Sequence, residues 1–222
     1  MGISRYLPSV IPAQGGIQEC FWLTKSKRPG YLLYKGKIPM PHLKGSLHVH
    51  THFSDGAHTP EEMIEAYQAL EYDFVAITDH DYLIRPQYWE DIPDTRGDLI
   101  VFKGIELEYS PLRFQHIGKI LGEEETLFIF NHPIQYRLSV AEVNRQIEVI
   151  SRDMPIHCLE VTDKGVYTEM YDTPEIPLPK IASDDAHTFD MCGRAWVEVQ
   201  STRNRDAILQ AIKKGNFRIG LR

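Results

Sequence analysis

The chain has 222 residues, 42% hydrophobic and 25% charged, with a formal net charge of -7 at pH 7. This composition supports one sizeable core and excludes wholesale disorder, and its acidic balance argues against a broad footprint on duplex nucleic acid. No stretch approaches the ~20 apolar residues of a membrane span, and the opening MGISRYLPSVIPAQGG lacks the basic and apolar regions of a secretory signal, so a cytoplasmic protein with no membrane partner is expected. Cys20, Cys158 and Cys192 are widely spaced and form no CxxC pair, which predicts buried, reduced thiols rather than a disulfide framework.

Residues 1–44 read as an N-terminal extension, with ECFWLTKSKRPGYLLYKG predicting two strands around an Arg-Pro-Gly turn, packed on the main domain or used between copies. From residue 45 onward strands and helices alternate. A strand over 46–51 leads to HTPEEMIEAYQALEY, where Thr59 caps, Pro60 takes the first helical position, and Glu61 and Glu62 face the positive helix end. DFVAIT (73–78) and LIVFKGIEL (99–107) are continuous apolar runs of strand length, followed by shorter strands at HIGKIL (116–121) and TLFIFN (126–131). SVAEVNRQIEVI (139–150) opens with a Ser139/Glu142 capping box and carries apolar residues at helical spacing. IHCLEV (156–161) and KIAS (180–183) predict further strands, then RDAILQAIKKG (205–215) a last helix stopped by Gly215, with FRI closing the pattern. The alternation predicts an α/β fold with a largely parallel sheet, its length suiting a compact or irregular barrel over residues 45–222.

The stretch GSLHVHTHFSDG places His48, His50 and His52 on one face of an extended strand, which is either a nitrogen-rich metal face or a polar outer edge. The other acids and histidines settle the choice, because they also follow predicted strands. Asp55 lies after the first strand, Asp79 and His80 after the second, and Glu106 near the end of the third. His116 is in QHIG, His132 in NHP, and Asp185 and His187 in SDDAH. The C-terminal mouth of a parallel barrel is where catalytic groups gather. Six histidines and three carboxylates exceed the roughly four ligands of one zinc ion, and with one shared carboxylate they suit two or three ions.

This constellation resembles the PHP family, named for polymerase and histidinol phosphatase, over roughly residues 45–219. The resemblance implies a distorted seven-stranded, TIM-like (β/α)7 barrel with a trinuclear metal site. Matched residue by residue, it implies that His48, His50, Glu106 and Asp185 bind one metal. Glu106 then bridges to a second held by His116 and His132, and Asp55, His80 and His187 bind a third. Two to three divalent zinc, manganese or iron ions are the expected cofactors, an aspartate at 55 favouring manganese or iron. Asp79 is expected to orient an imidazole rather than bind metal. The implied activity is hydrolysis of a small phosphorylated substrate, a phosphomonoester or phosphodiester. A hydroxide shared by two ions attacks phosphorus, and His187 or Asp185 passes a proton to the leaving group.

Arg194 is the leading candidate for a phosphate clamp, set against a solvated surface role, with Arg113, Lys164 and Arg137 weaker choices and His52 facing substrate or solvent. Only 15 residues separate His116 from His132, too few for the substrate-binding insertion of some nucleotide-processing relatives. Hydrolysis of carboxylic or carbamate esters, and a binding module that has lost catalysis, are the alternatives. Binding of a single strand stays open without a basic, aromatic-interleaved stripe to support it. Nothing in the sequence chooses an oligomeric state.

Overall fold

The computed structural model describes residues 20–25, 31–36, 40–112 and 114–222. The chain divides into two units, Met1–Met40 and Pro41–Arg222, each taken by itself. In the first, β1 (Cys20–Lys25) and β2 (Tyr31–Gly36) pair antiparallel, with Cys20 opposite Gly36 and Lys25 opposite Tyr31. The Arg-Pro-Gly turn, the Cys20 side chain and Arg113 lie outside the described residues.

The second unit runs β3 (His42–Ser46), α1 (Pro60–Ala69), β4 (Phe74–Ile77), α2 (Gln87–Asp91), β5 (Thr95–Arg96), β6 (Leu99–Tyr109), β7 (Gln115–Leu121), β8 (Thr126–Phe130), α3 (Val140–Ile150), β9 (Cys158–Glu160), β10 (Thr162–Asp163), β11 (Val166–Tyr167), β12 (Lys180–Ile181), β13 (Ala195–Gln200), α4 (Arg205–Lys213) and β14 (Phe217–Leu221). The helix starts follow their capping chemistry. Thr59 Oγ1 accepts from the Glu62 N–H while the Glu62 carboxylate returns to the Thr59 N–H, and Ser139 and Glu142 repeat the exchange at α3. At the far end of α4, Gly215 takes the left-handed φ of 71° that ends the helix.

The main sheet runs β12-β9-β8-β7-β6-β4-β3-β13-β14, with β5 paired to β6 beside this path. Its two end strands, β12 and β14, come within 8 Å without pairing, so the sheet is a nearly closed barrel. This corrects the expected seven strands to nine. β4, β6, β7, β8, β9 and β12 answer to expected strands, as does β14 at FRI; the strand expected over 46–51 lies earlier, as β3, with only extended backbone after Ser46, and β13 is the addition, extending with β14 the β3 edge toward β12. The sheet is also mixed rather than largely parallel. The pairs β3–β4, β4–β6, β8–β9 and β9–β12 are parallel, whereas β6–β7–β8 and β3–β13–β14 are antiparallel. The connections from Tyr109 to Gln115 and from Leu121 to Thr126 are too short for the crossover that a parallel neighbour needs.

Apolar side chains fill the barrel and the space under the helices. Phe74 and Phe102 meet edge to face at 5.9 Å in the interior, and Ile208, Leu209 and Ile212 of α4 close over it. Met63, Ile64 and Tyr67 of α1 pack on β4, and Val143 and Ile150 of α3 pack beside β8 and β9. Each such burial contributes about 1.5–3 kcal/mol. Cys158 and Cys192 are buried and unpaired, as expected of reduced thiols. Among the described residues no helix is long and apolar enough to cross a membrane.

One polar strut runs through this packing. Asp184, fully buried, accepts from the Tyr67 hydroxyl at 2.8 Å and from the backbone N–H groups of Gly193, Arg194 and Ala195 at 2.7–2.9 Å. It ties α1, the loop after β12 and the start of β13 together. Asp184→Asn puts an amide against the Gly193 donor and is expected to cost about 2 kcal/mol. The metal-free variant's urea midpoint reads this directly, and a midpoint equal to the parent's would show that the strut carries no stability.

Candidate metal centre

The HxH stretch is delivered by extended backbone beyond the end of β3. The Leu47 N–H donates to Ser183 Oγ at 2.9 Å, the His50 N–H donates to the Ala186 carbonyl at 2.9 Å, and Val49 bridges Ala186. His48 and His50 therefore point to one side and are buried, in keeping with period two. His52 departs from that pattern and is exposed, because a turn begins at Thr51. The Thr51 carbonyl accepts from the N–H groups of Ser54 and Gly56 at 3.0 Å. A side chain on Gly56 would lie 2.7 Å from the His50 carbonyl, so the SDG turn needs glycine for this close approach.

Asp79 secures the turn. It accepts from the Thr51 N–H and hydroxyl, both at 2.7 Å, and from the Ser54 hydroxyl at 2.5 Å. It touches no imidazole, contrary to expectation; Ser54 Oγ stands between it and His50 Nδ1, at 3.3 Å from the latter.

Glu106, on β6 and 1% exposed, is the hub of the site. Its Oε1 lies 3.2 Å from His48 Nε2, 3.2 Å from His116 Nδ1 and 3.1 Å from His132 Nε2, and its Oε2 lies 3.4 Å from His50 Nε2 and 3.2 Å from His80 Nδ1. Asp185 Oδ1 reaches His48 Nε2 at 3.5 Å and His50 Nε2 at 3.3 Å, while those two nitrogens are 3.0 Å apart. Asp55 forms the outer edge: its Oδ2 is 3.2 Å from His187 Nε2 and 3.5 Å from His80 Nε2, and its Oδ1 is 3.3 Å from His50 Nδ1. All nine residues expected as ligands thus converge in one cluster. Tyr82 stacks on His80 at 5.3 Å, and Tyr136 stacks on His132 and meets His116 edge-on.

The charges in this cluster are strongly coupled. Burial pushes the Glu106 carboxyl up, but His48, His116 and His132 hold it well below the usual carboxylate range. Burial likewise opposes the charged forms of Asp185 and Asp55, yet the imidazoles around them hold both low. In return burial lowers His48 and His50, and the surrounding acids override it, raising His48 well above the usual imidazole range and His50 to about 9. In the cluster without metal the protonated imidazoles are the cations that balance these acids, a place divalent metal ions would take.

The residues fit divalent metals. Nδ1 of His80 and Nδ1 of His116 are buried without a hydrogen-bond partner, although each sits 3.2 Å from a Glu106 oxygen. Nitrogens and oxygens that surround a shared centre without bonding to one another form a donor set for an ion, and imidazole with carboxylate suits zinc, manganese or iron. Groups of three with mutually close donor atoms are His48/His50/Glu106, His48/His132/Glu160, His50/Asp55/His80, His50/Asp185/His187 and His80/Glu106/His116 among the described residues.

Arg194 does not join the cluster. Its guanidinium donates to the Asp190 carboxylate and carbonyl at 3.1 Å and to the Lys164 carbonyl at 3.4 Å, and it lines a separate depression. The clamp expected there is corrected: the nearby Asp190, four residues earlier, takes the charge first. The cleft over the cluster is lined instead by Lys164 and Gln135 besides the ligand candidates. Lys164 occupies the β10–β11 turn with φ 50°, followed by Gly165 with φ 75°, the two positive angles of a tight hairpin.

Two residues behind the ligands went unread in the sequence. Asn131 donates to Glu106 Oε1 at 2.7 Å, and Glu160 faces His48 Nδ1 at 3.1 Å. Glu160 ends the apolar strand of CLEV, and Glu106 likewise comes after an apolar run in GIEL, which is the one signal that marks it.

The model of the PHP domain matches residues 46–178, and that of a PHP-associated segment matches residues 174–217. The DNA polymerase/3'-5' exonuclease PolX of Bacillus subtilis (strain 168) is 28% identical over 136 residues, 51% of this chain but only 24% of PolX. Among solved structures, a two-domain protein from Bacteroides vulgatus ATCC 8482 containing a predicted PHP-like metal-dependent phosphoesterase superposes with a TM-score of 0.62 at 17% identity, covering 81% of this chain and 65% of that one. PsfC from Pseudomonas syringae PB-5123 gives 0.62 at 15% identity, covering 82% and 93%. These two likenesses speak to the fold. With the PHP domain matched across more than half of its length, the chain belongs to the PHP domain family.

Proposed function

We propose that this chain is a metal-dependent phosphoesterase that hydrolyses a small phosphorylated substrate, a phosphomonoester or phosphodiester, with two to three divalent zinc, manganese or iron ions. The observation that carries the reading is Glu106, a buried carboxylate whose two oxygens face nitrogens of five histidines at 3.1–3.4 Å. His48, His50, Glu106 and Asp185 would hold one ion, Glu106 with His116 and His132 a second, and Asp55, His80 and His187 a third. When bound, ions so placed lower the pKa of a water toward neutrality and offset the charge that develops on a phosphoryl group.

The chain's own groups supply the rest. Among the six clustered imidazoles His187 is the most accessible, its side chain 21% exposed against 1–12% for the others, so it is placed to move a proton to the leaving group at the mouth. Lys164, in a left-handed conformation that side chains rarely adopt, holds a cation at the cleft rim and binds a phosphoryl oxygen. Gln135, exposed on the same rim, offers a neutral hydrogen bond.

Elemental analysis of the purified protein is expected to find ~2–3 transition-metal equivalents per chain, with turnover of phosphate esters exceeding that of carboxylate esters. Fewer than one equivalent, not restored by added manganese, zinc or iron, would overturn the reading. Glu106→Gln is expected to lose metal by more than the ~10–100-fold seen when a supporting partner is removed, and to lose turnover with it; parental activity in that variant would sink the mechanism. Lys164→Ala is expected to raise KM about 10-fold with kcat near parental, as for one charge-assisted hydrogen bond, and an unchanged KM would remove Lys164 from substrate binding.

A further inference from the structure

The ligand set implied by the family motifs leaves one buried carboxylate of the cluster without a task. Glu160, at the end of β9, is 0% exposed. Its Oε2 lies 3.1 Å from His48 Nδ1 and accepts the His132 backbone N–H at 3.3 Å, and its Oε1 has no partner. A carboxylate buried at this depth is costly unless its neighbours need it. Both neighbours do.

His48 has two ring nitrogens in two different settings. Nε2 faces His50 Nε2 at 3.0 Å, Glu106 Oε1 at 3.2 Å and Asp185 Oδ1 at 3.5 Å, whereas Nδ1 faces Glu160 alone. A carboxylate behind Nδ1 takes the proton of that nitrogen as a hydrogen bond and turns the Nε2 lone pair toward the centre. His132 sits at φ 23°, ψ 66°, a sparsely populated conformation, and its N–H ends on the same Glu160 oxygen. One oxygen therefore steadies ligands from two separate parts of the sheet.

We propose that Glu160 is a positioning residue: it holds His48 in the Nδ1–H tautomer and holds the His132 backbone in place, so that both imidazoles meet metal preorganised, without itself binding the ion. The inference rests on the metal-hydrolase reading above. Its role is to keep two ligands aimed and to raise their affinity.

The experiment titrates metal-free parent, Glu160→Gln and Glu160→Ala with Mn2+ by calorimetry, and follows thermal unfolding of each metal-free protein. Glu160→Gln is expected to unfold near the parent and to bind the same number of equivalents about 10–100-fold more weakly, with Glu160→Ala weaker again. Parental affinity in both variants would overturn the inference, and so would loss of a whole equivalent in Glu160→Gln, which would make Glu160 a ligand. Long-range proton–nitrogen NMR on the zinc-loaded parent needs no variant: a protonated His48 Nδ1 supports the assignment and an unprotonated one refutes it. A parent that takes up no metal would sink the hydrolase reading and this inference together, whereas a metal-binding parent matched by Glu160→Gln would sink this inference alone.

Discussion

Everything in the site turns on the cost of burying Glu106. A carboxylate removed from water is several kcal/mol out of balance unless positive or donor groups surround it, and here nitrogens of five histidines and the amide of Asn131 do so. Those side chains come from the extended stretch after β3, from the loop after β4, from β7 and from the loop after β8. The near-closure of the sheet is what brings four such distant stretches to one carboxylate.

The scaffold fixes that convergence with polar struts rather than apolar packing alone. Asp79 binds the Thr51 and Ser54 turn that follows the HxH pair, and Asp184 binds α1 and the start of β13 beside Asp185. Two of the ligand candidates, His132 and Asp185, carry positive φ angles of 23° and 45°. Such conformations persist where neighbours over-determine them. For Asp185 those neighbours are the Asp184 hydrogen bonds on one side and the Val49–Ala186 bridge on the other; for His132 the neighbour is Glu160.

The mouth of the site divides the work by exposure. Inner imidazoles such as His48, His50 and His132 are all but inaccessible, while His187 and Asp55 sit at the outside and Lys164 overhangs them from a tight hairpin. In the proposed reaction a phosphoryl group would meet the inner donors from one side and the rim from the other, so that charge would develop inside and a proton leave at the edge.

Much of this was legible in the residues themselves. The capping boxes at Thr59/Glu62 and Ser139/Glu142 act within four residues, so they could be read without the fold, and the nine ligand candidates stood out because they gather on or beside apolar strands; Glu106 lies within β6 and His116 at the start of β7 rather than after a strand. The strand AWVEVQ alternates with period two and was legible but unread; together with β14, expected at FRI, it takes the sheet to nine strands rather than the seven that the resemblance implies. Other features lay beyond local pattern. Pairing direction depends on how short connections fold back, Arg194 is claimed by Asp190 rather than by the cleft, and Lys164 reaches the rim through a hairpin whose strands are two residues long. By itself the sequence determined the kinds of ligand and their order along the chain, because those are local chemistry. Only the tertiary structure decided which nitrogen faces which oxygen and that Glu160 stands behind His48, because such contacts join residues as distant as His48 and Asp185, or His48 and Glu160, through the curvature of the sheet.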